Sequence, residues 1–175
     1  MKIQYTNILS AKIKLNLIPV FETDQDVVFQ NTIVSKTVFS GKKDTTYITE
    51  SAGIFFIFIG LGKITDYKTI KTIFRRVSAK QVDYFGTEMQ LIIPDSFSSN
   101  NIESAVSGLI LGTYKLGHYK KDKKPHPFNS DDFILEIATS KDVFHEVTRA
   151  IKIANAQLET FHLVDLPPNK ITPAY

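Results

Sequence analysis

Ile54-Phe-Phe-Ile-Phe-Ile59 is apolar at every position. Six residues cannot cross a bilayer, which takes about 20 in a helix. β-branched and aromatic side chains favour a pleated strand over a helix of this length. Successive strand residues point to opposite faces, so a strand apolar throughout must be covered on both sides. The run therefore predicts a central strand in a sheet layered on each face.

The flanks are consistent with this. Upstream, Ile13, Leu15 and Leu17 alternate with Lys12, Lys14 and Asn16, the period of a half-buried strand. Val27–Phe29, Thr32–Val34 and Thr46–Thr49 are short β-type runs, with a turn at Ser40–Asp44 between the last two. Downstream the period changes. Ile70, Ile73, Phe74 and Val77 form one helical stripe. Glu88–Ile93 reads as a strand closed by Pro94. A second helix carries Ile102, Ala105, Val106, Leu109 and Ile110, with Asn100 or Asn101 as its N-cap and Gly117 as its stop. Phe133–Ile137 is the next strand. A third helix, capped by Ser140, carries Val143, Val147, Ala150, Ile151, Ala154, Leu158 and Phe161. A β-rich start followed by strand–helix alternation predicts an α/β fold, a mixed sheet flanked by helices. The loop Tyr119–Asp132 is the flexible candidate before the tail.

A chain of 175 residues suits one domain, or one plus a linker, and a domain of that size buries enough surface to need no staples. It has no cysteine, which excludes disulfides and thiolate metal sites and fits a reducing, cytoplasmic compartment. The N-terminus lacks an apolar signal core, and no membrane segment is expected. A formal charge of +3 is too mild to demand a polyanionic partner.

Motifs that would carry chemistry are incomplete. A two-metal hydrolytic centre needs several converging carboxylates. Here Asp24, Asp26, Asp44, Glu50, Asp66, Glu88, Asp95 and Glu103 are scattered, and the densest groups, Glu22-x-Asp24-x-Asp26 and Asp131-Asp132, read as solvated loops. Gly60-Leu-Gly-Lys63 fails the Walker template, with Ile57 where a glycine is required and Ile64 after the lysine. It fails the dinucleotide template at Thr65. It reads as a tight turn. Of His118, His126, His145 and His162, only the first two share a neighbourhood, and lysines beside them would repel a cation. Ser107-Gly108 lacks the frame of a nucleophile elbow. One charge concentration stands out: Lys115, Lys120, Lys121, Lys123 and Lys124, with His118 and the aromatics Tyr114, Tyr119 and Phe128. These are candidate contacts for an anion or nucleic acid. Asp122 interrupts the run, so a solvated loop is the better reading and nucleic acid an unlikely partner.

Leu163-Val-Asp-Leu-Pro-Pro-Asn-Lys-Ile-Thr-Pro-Ala-Tyr175 follows the third helix. Its three prolines cannot continue a helix, so an extended exit from a domain is expected. This segment resembles the junction of the leucyl (cytosol) aminopeptidases, in which a short "PPN-x-hydrophobic-TP" connection leads to the catalytic domain. Three upstream pieces resemble the same family in order: Ile57–Lys63 its "GLGK", Ser107–Lys120 its "GLxLGxYxFxxYK", and Arg149–Ala156 its "A…IAxA" helix. The resemblance runs from about Ile54 to the end.

The resemblance implies a macro-domain-like, non-catalytic N-terminal domain over 1–162 and a linker, 163–175, towards an absent C-terminal catalytic domain. For the parent it implies removal of N-terminal amino acids from peptides by two divalent ions (zinc, manganese or magnesium) in a homo-hexamer. The front domain would then act in assembly and substrate access. The family's metal ligands and catalytic residues lie beyond the junction, so no catalytic, cofactor or metal residue is carried over, and the fragment alone is expected not to be an enzyme. The alternative is a stand-alone α/β module binding a nucleotide or nucleic acid.

Overall fold

The computed structural model describes residues 1–7, 10, 12–63, 66–115 and 125–166. In chain order the elements are β1 (Lys2–Thr6), β2 (Leu15–Phe21), β3 (Val27–Phe29), β4 (Thr32–Val34), β5 (Thr46–Ser51), β6 (Ile54–Gly62), α1 (Tyr67–Lys80), β7 (Glu88–Ile92), α2 (Ser99–Leu111), β8 (Ile134–Ala138) and α3 (Phe144–Val164). Six strands form a mixed sheet in the order β1-β8-β7-β2-β6-β5. Neighbours run parallel except at β5, which pairs antiparallel with β6. β3 and β4 form a separate antiparallel hairpin.

The apolar run lies within β6, an interior strand beside the edge strand β5. Phe56 and Phe58 face one way, into a cluster with Val27 and Val34 of the hairpin, Ile18 and Phe39. Ile57, Ile59 and Leu61 face the other way, into the main core beneath all three helices. Both faces are thus covered, as the run requires. Each of these fully buried side chains stabilises by about 1.5–3 kcal/mol relative to exposure.

The handedness of crossovers explains the layering. From β6 through β7 to β8 the chain steps repeatedly in one direction across the sheet. Right-handed connections then put α1 and α2 on the same face. The step from β2 to β6 runs the opposite way, and its hairpin lies on the opposite face. α2 is the middle helix, buried from Asn101 to Leu111 between its neighbours and the sheet. On α1 the expected stripe of Ile70, Ile73, Phe74 and Val77 is buried.

Several expectations are corrected. β2 is not half-buried. It sits between β6 and β7, and Asn16 is only 6% exposed. Its register partners Gln90 and Glu136 continue a polar row across the sheet, so the alternation reflects that row rather than solvent. β1 adds a strand to those expected, with Ile3 and Tyr5 alternating with Lys2, Gln4 and Thr6. It is an edge strand with mostly exposed side chains, held by the backbone ladder to β8.

The N-cap of α2 is Ser98, whose side chain accepts from Asn101 N–H at 3.3 Å, while Asn101 itself is buried inside the helix. α2 ends at Leu111 with Gly112 as cap, whereas Gly117 lies outside the described residues. Ser140 does not cap α3, because the helix begins too far along the chain for its oxygen to accept from the first turn; its hydroxyl donates instead to Asp95 Oδ1 at 2.9 Å. The helix starts at Phe144, four residues after Ser140, and the Phe144 N–H donates to Asp142 Oδ1. α3 ends at Val164, so Leu163 and Val164 are helical, and the proline segment from Pro167 lies outside the described residues. Among the described residues no helix is long and apolar enough to cross a membrane.

Candidate functional site

Open α/β sheets receive ligands at the carboxyl ends of their parallel strands. At the end of β6, a Cβ on Gly60 would stand 2.0 Å from the Lys42 carbonyl oxygen. Gly60 N–H donates to Thr45 O at 2.8 Å, and Asp44 N–H donates back to Gly60 O at 3.0 Å. Gly62, at φ +73°, donates to Gly41 O and accepts from Glu22 N–H. These glycines let the Gly41–Thr45 segment lie directly against the strand end. The glycine turn is therefore filled by the protein's own backbone.

The next strand ends are also tied internally. Lys141 Nζ donates to the carbonyls of Asp95 and Phe97, the latter at 2.9 Å, joining the β7–α2 loop to the β8–α3 loop.

Helix N-termini attract anions through unpaired N–H groups and the helix dipole. Each of the three carries a carboxylate of this chain. Asp66 Oδ1 accepts from Thr69 N–H at 2.9 Å at the start of α1, and hydrogen bonding by Thr69 holds its carboxyl below the usual range. Glu146 accepts from Ser99 Oγ at 2.7 Å beside the start of α2, and that bond lowers its pKa. Asp142 serves α3. An incoming phosphate would meet a negative charge at every one.

Four more of the scattered acids have structural partners. Asp44 pairs with Arg76, Asp95 accepts from Ser140, Glu103 pairs with Arg149 at 3.0 Å, and Asp26 accepts from Lys36 N–H at 2.9 Å. Among the described residues no three His, Asp or Glu side chains gather closely enough to hold a metal ion. The donor set of the described residues does not fit a two-metal centre.

Of the candidate lysines, Lys115 is exposed just past α2. Lys120, Lys121, Lys123 and Lys124, with His118, lie outside the described residues.

His126 proves to be a core residue, 2% exposed. Its Nδ1 accepts from Phe128 N–H at 3.2 Å, and Nε2 lies 3.1 Å from Ser78 O, so the Nε2–H tautomer satisfies both nitrogens. Burial pushes its pKa below the ordinary imidazole value, with Ser78 opposing and Lys115 adding to the fall.

Two groups escaped sequence reasoning. The first fastens the helical layer. Tyr67 of α1, Glu103 and Ser107 of α2 and Arg149 of α3 interact across it, and burial first, then the Glu103 contact against Ser107, raises the Tyr67 pKa. Ser107 Oγ also donates to Ala150 O at 3.3 Å. The second directs the end of α3. Tyr114 OH donates to Phe161 O at 3.0 Å and to the Asp165 carboxylate, and the Tyr114 and Phe161 rings sit 5.2 Å apart. Tyr114 drew notice only as an aromatic among lysines, and its place within the Ser107–Lys120 motif was the available signal. These contacts tie the three helices to one another and the end of α3 to Tyr114.

No protein-family model matches the chain. A probable cytosol aminopeptidase of Treponema denticola is 27% identical over 160 residues, covering 88% of this chain and 34% of that protein. The chain thus spans about a third of the length of the curated relative it matches. Among solved structures, a tomato leucine aminopeptidase mutant superposes with a TM-score of 0.75 at 16% identity, over 99% of this chain and 40% of that one. The bottromycin maturation enzyme BotP, in complex with Mn, gives 0.65 at 18% identity over 92% and 34%. The resemblance to the N-terminal region of a cytosol (leucyl) aminopeptidase, first carried by four short motifs, is borne out by these similarities, as is the mixed α/β fold.

Proposed function

We propose that this chain is the non-catalytic N-terminal domain of a metal-dependent aminopeptidase of the leucyl, or cytosol, type. One observation carries the reading: 88% of the chain aligns with about a third, 34%, of a cytosol aminopeptidase. The fold likeness to a leucine aminopeptidase supports the same placement.

The parent would remove N-terminal amino acids from peptides in the cytoplasm. Its divalent ions (zinc, manganese or magnesium) would be held by residues outside this chain, a reading supported by the engagement of Asp66 in a helix cap and of Asp44 and Glu103 in ion pairs. The domain's contribution would be mechanical. A bolted three-helix layer fixes the direction in which α3 delivers the chain onward, and so the position of the catalytic domain within a homo-hexamer and the access of peptides to it.

The test is hydrolysis of leucine p-nitroanilide by the purified 175-residue chain with added zinc, manganese or magnesium. No turnover is expected, and metal-dependent turnover would overturn the assignment.

A further inference from the structure

α1 and α3 stand on either side of α2 and leave a groove of about 260 Å³ above it. Its floor is Leu111 and its far wall includes Gln157 and Phe161. Its near wall carries Lys71 and Arg75, four residues apart on one face of α1. Both cations are held in place by rings. Lys71 Nζ lies 5.1 Å from the centroid of Tyr67, and Arg75 Cζ lies 5.3 Å from that of Phe161. Such contacts restrain a charged head without neutralising it.

Neighbouring arginines differ. Arg76 pairs with Asp44 and Arg149 with Glu103. Among the described residues no carboxylate pairs with Lys71 or Arg75. Among the described residues these two oriented cations thus stand without a carboxylate partner above Leu111.

We infer that this groove docks an acidic segment of a partner protein other than this chain, in extended conformation, with carboxylates at alternate positions. Side chains four apart on a helix are about 5–6 Å apart at Cβ. Alternate residues of an extended chain share a face at about 6.6–6.8 Å, so two acids can meet the two cations together. The groove is apart from the hydrolytic assignment, and the two can fail separately.

The probe is a dye-labelled peptide of alternating glutamate and alanine, titrated against the 175-residue chain by fluorescence anisotropy, beside its glutamine–alanine counterpart. The acidic peptide should bind, its binding should weaken as salt rises, and the neutral peptide should not bind. Lys71→Ala/Arg75→Ala should weaken binding about tenfold or more, while Lys14→Ala/Lys36→Ala, which removes the same charge elsewhere, should change it less than about twofold. If circular dichroism shows the first variant misfolded, Lys71→Met/Arg75→Gln removes the charges and keeps most of each stem. Equal binding of both peptides, or indifference to loss of Lys71 and Arg75, overturns the inference. So does equal competition by inorganic phosphate, which would mark a small-anion pocket. Self-association abolished by Asp24→Asn/Asp26→Asn would make a second copy the occupant and overturn it as well.

Discussion

Replacing Gly60 with alanine tests whether the end of β6 is a packed turn. The new Cβ would lie 2.0 Å from Lys42 O, 2.4 Å from Thr45 Oγ1 and 2.9 Å from the Gly41 carbonyl carbon. Two of these atoms are backbone, so no rotamer change relieves them, and the Gly41–Thr45 segment must move away by about 1–1.5 Å to reach ordinary carbon–oxygen contact. That displacement breaks or stretches the hydrogen bonds between Gly60 N–H and Thr45 O and between Asp44 N–H and Gly60 O. Overpacking costs about 1–3 kcal/mol, and each weakened bond adds about 0.5–1.5 kcal/mol. Taking about 3 kcal/mol, and an unfolding entropy of about 0.37 kcal/mol/K for 175 residues, Tm should fall by about 8 °C. Thermal melting followed by circular dichroism at 222 nm reads this directly. Gly86→Ala is the control, since no atom lies within 4 Å of its added Cβ, and it should melt within about 2 °C of the parent chain. A Gly60→Ala protein melting with the control would refute the close approach and reopen a ligand-binding reading of the glycine turn.

His126 should make stability pH-dependent. Its folded pKa is lowered, chiefly by burial, so near pH 6.5 and below the unfolded chain binds a proton that the folded one resists. The contribution is whole above about pH 6.5 and is lost as pH falls towards the folded value. Urea unfolding between pH 7.5 and 5 should show a shallower decline for His126→Asn, and parallel curves would refute it. Tyr114→Phe removes the hydroxyl shared by Phe161 O and Asp165, so it should cost about 0.5–1.5 kcal/mol and speed amide exchange in the last turn of α3. Unchanged exchange there would remove its orienting role. Arg149→Ala should destabilise more than Glu103→Ala in chemical denaturation, because it strands a carboxylate side chain only 9% exposed, whereas the reverse leaves an arginine 63% exposed and solvated. Equal losses would contradict that asymmetry.

Elements whose burial depends on their own periodicity were legible in advance. Ile54–Ile59 has no polar face, so whatever its neighbours, it had to be covered twice. The stripe from Ile70 to Val77 likewise required a helix with one face inward. Four short motifs, local enough to survive divergence, carried the family resemblance. The caps were harder to read, because Ser98, Asn100 and Asn101 are all competent by residue type, and the choice depends on where β7 delivers the chain. Ser140, expected to cap α3, instead donates to Asp95, a residue 45 positions earlier. Of the candidate site, the lysines from Lys120 to Lys124 lie outside the described residues, and the Tyr67–Glu103–Arg149 group joins side chains too far apart in sequence for spacing to reveal.

Residue chemistry and spacing by themselves determined the layered α/β class and the identity of the core stripes, because those follow from local period and composition, while four short motifs carried the likeness to one region of an aminopeptidase. Tertiary structure alone decided that β1 joins the sheet, that Asn16 and His126 are interior, that α2 is buried between its neighbours, and that Tyr114 aims the end of α3. Each of these rests on partners distant in sequence, and a hydrogen bond or ion pair between such residues exists only once the fold has brought its two halves together.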